Sequence, residues 1–170
     1  MDLMPPISPY PQYYHDMIID HNKKPRYYGS MTDYEHTLES YNPLCGDKIS
    51  VYLKAKDGII TDLTFQGEGC AISIASASMM LETIHNVTPF VIDAQKLLRR
   101  FVETMRADDD SHDEKLKIDS TSKSLSPSRL LTLTGVRQYP GRIKCATMCC
   151  HTLNEVFNRI SGANIDIKGD

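Results

Sequence analysis

The spacing of apolar residues along this chain changes several times, and each change marks an expected element. Around Gln12 to Asn22, Tyr13, Met17, Ile18 and His21 recur at helical spacing before Lys23-Lys24-Pro25 ends the pattern, which predicts a short amphipathic helix. Further on, Ile49, Val51, Leu53 and Ala55 alternate with polar residues, and Ile59, Leu63 and Phe65 keep the odd positions after Asp57-Gly58. This is the signature of a β-hairpin with one buried face. His36 to Tyr41 gives a weaker strand signal, since only Leu38 and Tyr41 are clearly apolar, and it supplies a third antiparallel strand.

After Cys70 the period becomes helical, with Ile72, Ala75, Met79 and Ile84 on one side and small Ala and Ser residues between them. Thr88-Pro89 reads as an N-cap and an N1 proline for a second helix whose stripe is Val91, Ala94, Leu98, Phe101 and Met105. From about 107 to 126 the composition turns to Asp, Ser and Lys, which predicts an exposed insertion. A short helix over Ser128 to Leu133 and a turn at Tyr139-Pro140-Gly141 follow. The last helix is expected from Lys144 or Cys145 to Ile160, because Cys149, Leu153, Val156 and Ile160 share a face. Strands followed by helices, without internal repeats, indicate an α+β domain.

Composition narrows this picture. At 170 residues and 41% hydrophobic content the chain can build one sizeable core, so a single domain over 1–170 is expected. A net charge of −3 gives no general attraction to nucleic acid or to an anionic membrane, so neither partner is expected. With no apolar run of about 18 residues and no signal-peptide pattern at the start, the reading is a soluble, cytoplasmic protein. The five cysteines are an odd number, and their arrangement does not match a secreted disulfide framework. In a reducing compartment such thiols bind metal or react.

Three of them sit where the chain bends. Cys45 and Asp47 lie in Asn42-Pro43-Leu44-Cys45-Gly46-Asp47, whose Pro43 and Gly46 imply an irregular turn entering a strand. Cys70 ends Gly67-Glu68-Gly69-Cys70 at the start of a helix, where the helix dipole favours a thiolate. Cys145 is read as occupying the same kind of place before the final helix, after the basic run Arg142-Ile143-Lys144. Three thiols and one carboxylate can form a tetrahedral zinc site. From the residues alone, isolated buried cysteines explain the pattern as well.

The segments Asn42 to Asp47, Gly67-Glu68-Gly69-Cys70-Ala71-Ile72-Ser73 and Arg142-Ile143-Lys144-Cys145-Ala146-Thr147 resemble, in order, the three cysteine motifs of the IscU/SufU (NifU N-terminal-like) family. The resemblance covers almost the whole chain. It implies the SufE/NifU-like fold, a small three-stranded antiparallel sheet packed against about five helices. Within the family the chain is closer to SufU. Lys144 stands where IscU scaffolds carry a ligand histidine, and the 107–126 segment falls where SufU proteins carry an insertion. The Leu-Pro-Pro-Val-Lys chaperone motif of IscU is replaced by Gln138-Tyr139-Pro140-Gly141-Arg142.

What the resemblance implies is a zinc-bound acceptor of persulfide sulfur from a PLP-dependent, SufS-like cysteine desulfurase, acting with other cluster assembly proteins. Carried over residue by residue, Cys45 is the acceptor and Asp47, Cys70 and Cys145 complete the metal site with it. Two alternatives stay open: a scaffold on which the same ligands build a [2Fe–2S] cluster, and a module in which zinc only staples the fold.

The remaining candidates have plainer readings. Cys149 and Cys150 depart from the family pattern and read as small core thiols, with a spare ligand or sulfur relay as the rival. His15, His21, His36, His85 and His112 lack metal spacing and read as surface or capping residues, and His151 as structural. Arg142 and Lys144 read either as partners of the nearby thiolate and the desulfurase or as a solvated basic pair.

Overall fold

Period-two patterning produces the sheet. In the computed structural model, which describes residues 11–107, 127–162 and 166–167, strands β1 (His36–Asn42), β2 (Asp47–Lys56) and β3 (Ile59–Glu68) form one antiparallel sheet in the order β1-β2-β3. The weak strand signal at His36 is therefore a real strand, paired along its full length from His36↔Leu53 to Asn42↔Asp47. Ile49, Val51, Leu53, Leu63 and Phe65 are buried on one face, as their odd spacing requires. Asp57 and Gly58, at φ 54° and 77°, supply the two left-handed residues of a tight hairpin turn.

One position departs from the alternation. The pairing shifts from Lys54↔Asp62 to Ala55↔Ile60, so the end of the hairpin is out of step with the rest by one residue. A one-residue slip exchanges the faces. Ile59 is consequently exposed, and Ile60 packs against the core in its place.

Helix α1 (Pro11–Lys23) is followed, after the sheet, by α2 (Ala71–Val87), α3 (Val91–Arg106), a 3-10 helix (Pro127–Gln138) and α4 (Pro140–Ser161). α2 is the central element and packs against α1, α4, the 3-10 helix and the sheet. Its small residues permit this: Ser73, Ala75, Ser76, Ala77 and Ser78 are all buried, so the helix is covered on nearly every side. α3 buries the expected stripe Val91, Ala94, Leu98, Phe101 and Met105. In the 3-10 helix Leu130, Leu133 and Val136 are buried at intervals of three, the repeat of that helix.

Polar bonds between helices fix their positions. The Ser76 hydroxyl donates to the Ala146 carbonyl between α2 and α4, and Gln95 Nε2 donates to Asn154 and Asn158 between α3 and α4 at 3.1 and 2.9 Å.

Three expectations about boundaries and histidines need correction. Thr88 caps the C-terminus of α2, and α3 begins at Val91 after Phe90, because the Thr88 hydroxyl accepts the Phe90 N–H and holds that segment as a turn. α4 begins at Pro140, so Tyr139-Pro140-Gly141 opens the helix, with proline in the first helical turn where its missing N–H is harmless. His21 is buried, 1% exposed, with Nδ1 2.7 Å from Ser78 Oγ, which ties α1 to α2. The expected insertion at 107–126 lies outside the described residues apart from Ala107. No helix among the described residues is long and apolar enough to cross a membrane.

Candidate metal centre

The centre is assembled where the sheet meets α2 and α4. Cys45 lies in the four-residue connection between β1 and β2. Asn42 Oδ1 accepts the Leu44 N–H at 3.0 Å, the Gly46 N–H returns to the Asn42 carbonyl at 2.8 Å, and Gly46 takes φ 75°. The loop therefore presents Leu44, 85% exposed, at its tip with the half-buried Cys45 beside it. Asp47 opens β2 and is 0% exposed. Cys70 is the N-cap of α2, and its sulfur accepts the Ser73 N–H at 3.5 Å. Cys145 is 2% exposed in the second turn of α4.

The position of Cys145 corrects the expectation that it precedes the helix, and the cause is the early start of α4 at Pro140. Its environment is burial rather than a helix terminus. Burial pushes its thiol well above the ordinary cysteine range, helped by the Asp47 carboxylate and the Cys70 sulfur beside it.

Despite their separation in sequence, Cys45, Asp47 and Cys145 converge, and Cys70 approaches them through Asp47. Cys45 Sγ lies 2.9 Å from Asp47 Oδ2, Cys145 Sγ 3.7 Å from Cys45 Sγ, and Cys70 Sγ 3.6 Å from Asp47 Oδ2. One donor atom each from Cys45, Asp47 and Cys145 lies within 4.8 Å of the other two, a grouping that could hold a metal ion. Cys70 adjoins this triplet through the same carboxylate.

Asp47 is the hub. Burial opposes its ionisation, yet the Cys45 thiol, the Ser73 hydroxyl and the Cys70 N–H all donate to it, and together they hold its carboxyl down at about 2. Ser73 Oγ reaches Oδ2 at 2.5 Å and the Cys70 N–H reaches Oδ1 at 2.7 Å. Gly69 makes room for this arrangement. It sits at φ 144°, and a Cβ there would overlap Asp47 Oδ1 and come within 2.8 Å of Asp47 Cα.

The donor chemistry fits zinc. Two thiolates at about 2.3 Å from a tetrahedral zinc are about 3.8 Å apart, and a thiolate and a carboxylate oxygen about 3.6 Å apart. The Cys45–Cys145 separation of 3.7 Å matches the first value, whereas the Cys70 sulfur stands outside the grouping of the other three donors and has to move inward to complete a four-ligand site. The 2.9 Å between Cys45 and Asp47 is instead the hydrogen bond of a protonated thiol. Three thiols around one ionised, buried carboxylate suit a borderline cation once the thiols lose their protons.

Ser73 was not legible as part of the site. Its only signal is its place three residues after Cys70, where a capping partner sits. Arg142 reads in the sequence as one of two roles, and its exposed guanidinium is held above its ordinary pKa by the Cys145 sulfur first and by the nearby Cys70. Cys149 and Cys150 lie inside the core at 1% and 0% exposure, with Cys149 Sγ 3.9 Å from Ser76 Oγ. Burial pushes the Cys150 thiol up.

The model for the NifU-like N-terminal domain matches residues 13–146. The chain is 32% identical to an iron–sulfur cluster assembly scaffold protein IscU of Thermotoga maritima, covering 87% of this chain and 94% of that one. It is also 32% identical to the zinc-dependent sulfurtransferase SufU of Bacillus subtilis, covering 89% and 93%. A crystal structure described as a putative iron–sulfur cluster assembly scaffold protein for the SUF system from Fervidobacterium islandicum superimposes with a TM-score of 0.68 at 26% identity, over 85% of this chain and 96% of that one. The matched domain, the relatives aligned over most of their length and the shared fold together mean that this chain belongs to the NifU-like N-terminal domain family, which includes IscU and SufU.

Proposed function

We propose that this chain is a zinc-dependent sulfurtransferase that accepts persulfide sulfur from a PLP-dependent, SufS-like cysteine desulfurase for iron–sulfur cluster assembly in the cytoplasm. Cys45 is the acceptor, and Asp47, Cys70 and Cys145 hold zinc with it. The observation that carries this reading is the asymmetry of the set. Cys45 sits in a hairpin loop beside an exposed leucine, while Asp47, Cys70 and Cys145 are fixed in β2, the α2 N-cap and α4. Cys45 can leave the cluster without disturbing an element, and the other three cannot.

Bound zinc keeps cysteine sulfurs deprotonated at neutral pH without redox chemistry of its own. The protein supplies the rest. A Cys45 thiolate attacks the outer sulfur of the desulfurase persulfide. The sulfur–sulfur bond of that persulfide breaks, a new one forms on Cys45, and the desulfurase cysteine leaves as thiolate, with no net oxidation. Arg142, exposed beside Cys145 on the wall of the cleft that contains Cys45, offers a positive charge to the incoming anionic persulfide. Leu44 gives the partner an apolar contact next to the nucleophile.

A second reading, a scaffold that assembles a [2Fe–2S] cluster on the same residues, is favoured by the equal identity to the Thermotoga relative. The two are separated by content and colour. A sulfurtransferase purifies with near-stoichiometric zinc, stays colourless after incubation with iron and sulfide, and stimulates desulfurase turnover. Cys45→Ser should abolish sulfur acceptance and retain part of the zinc, and a fully active Cys45→Ser protein would refute the role of Cys45.

A further inference from the structure

Ser73 touches each of the three candidate ligands other than Cys45. Its hydroxyl donates to Asp47 Oδ2 at 2.5 Å, and the Cys145 carbonyl lies 3.4 Å away as a second acceptor. Its N–H donates to the Cys70 sulfur at 3.5 Å. The residue is 1% exposed, so bulk water does not compete for these bonds.

The cause lies at the start of α2. Cys70 is the N-cap and Ser73 the third residue of the helix, the two positions that form a reciprocal capping pair in many helices. In such a pair the side chain of the third residue returns to the N–H of the cap. Here the Asp47 carboxylate stands between them, with Oδ1 accepting the Cys70 N–H at 2.7 Å and Oδ2 accepting the Ser73 hydroxyl. A residue of β2 is thereby tied to the first turn of α2 through both of its oxygens, where the positive end of the helix dipole favours a carboxylate. Oδ2 is also the oxygen nearest the Cys45 and Cys70 sulfurs. One hydroxyl therefore fixes the direction in which the ligand oxygen points, and the N–H of the same residue supports the sulfur of a second ligand.

We propose that Ser73 is a positioning residue for the metal, one that holds Asp47, Cys70 and Cys145 as a three-ligand set able to keep zinc while Cys45 is away carrying sulfur. The inference rests on the sulfurtransferase reading above, in which Cys45 leaves the metal. Hydrogen bonds to ligating groups typically change metal affinity by about ten- to a hundredfold. With four ligands, Cys45 offsets part of any loss at Asp47. With three, the direction of the carboxylate counts for more, so removing the Ser73 hydroxyl costs more when Cys45 is absent.

Zinc affinity of the full chain, measured by competition with a chromophoric chelator, tests this. Ser73→Ala removes the hydroxyl and keeps the N–H; it should weaken zinc about tenfold in the otherwise wild-type chain and about a hundredfold in the Cys45→Ser background. Ser73→Thr, which keeps a hydroxyl, should stay within about threefold of wild type. Cobalt in place of zinc gives a readout that a merely structural role would not move. Ser73→Ala should shift the visible ligand-field bands, and Ser73→Thr should leave them in place. The spectrum is taken at saturating cobalt, where metal binding holds even a destabilised variant folded, so lost stability alone does not mimic the shift. A Ser73→Ala affinity within about twofold of wild type, or an equal loss in the two backgrounds, would overturn the role of Ser73. If wild type still takes a persulfide onto Cys45 in that case, the sulfurtransferase reading stands. A wild type that acquires no persulfide, with the Ser73 dependence intact, would overturn the sulfurtransferase reading and with it the need for a three-ligand state.

Discussion

Replacing Asp47 by Asn tests whether the carboxylate organises the centre even without metal. The folded carboxyl is held at about 2 against an ordinary 3.8. Its folded value is depressed, so the ionised form stabilises the fold. That stability is present above the ordinary carboxyl range and is lost as pH falls through the folded value. A difference of just under two units corresponds to about 2 kcal/mol. Asn keeps the shape, but its amide group turns donors toward the Cys45 thiol and the Ser73 hydroxyl, which themselves donate to Asp47. The chelator-stripped Asn variant should therefore be less stable at neutral pH by at least about 2 kcal/mol. The assay is urea unfolding of both zinc-free proteins from about pH 7 down to about pH 2. The gap between them should narrow through the acid range, because only the wild type has this carboxylate to protonate. Parallel curves, with a constant gap across that range, would refute the argument that ionised Asp47 is stabilised by its ring of donors.

Other consequences follow from particular contacts. Gly69→Ala places a Cβ against the Asp47 carboxylate and puts a left-handed φ on alanine, so zinc content after purification should drop sharply and stability should fall by about 3 kcal/mol. Gly58→Ala meets open space at φ 77°, so it should cost only about 1 kcal/mol in urea unfolding and leave zinc content unchanged. Ser78→Ala removes the bond to buried His21 and the acceptor of the Arg26 N–H at 2.8 Å, a loss of about 1–3 kcal/mol that a thermal melt would register. Removing zinc with a chelator should lower the melting temperature of the wild type and have a smaller effect in Asp47→Asn, because bound metal stabilises only the state that binds it.

The elements that the amino-acid order determined by itself are those set by neighbours close along the chain. The β2–β3 hairpin follows from alternation and from Asp57-Gly58, the α3 stripe from helical spacing, and the start of α2 from the Gly69-Cys70 break. Boundary errors arose where one short signal had two meanings. Pro140 read as a turn but opens α4, and Thr88 read as an N-cap but closes α2. The face of Ile59 depended on an extra residue, Thr61, in β3 itself, whose place follows from the pairing with β2 and not from the pattern along one strand.

Tertiary structure alone decided the rest. It brought the Cys145 sulfur 3.7 Å from that of Cys45, 100 residues earlier, and it buried Asp47 among donors from the β1–β2 connection and the start of α2. It also recruited Ser73 and sank His21 into the α1–α2 contact. The physical reason is that periodicity reports which side of an element faces the core, whereas convergence of donors and charges depends on how separate elements are packed together.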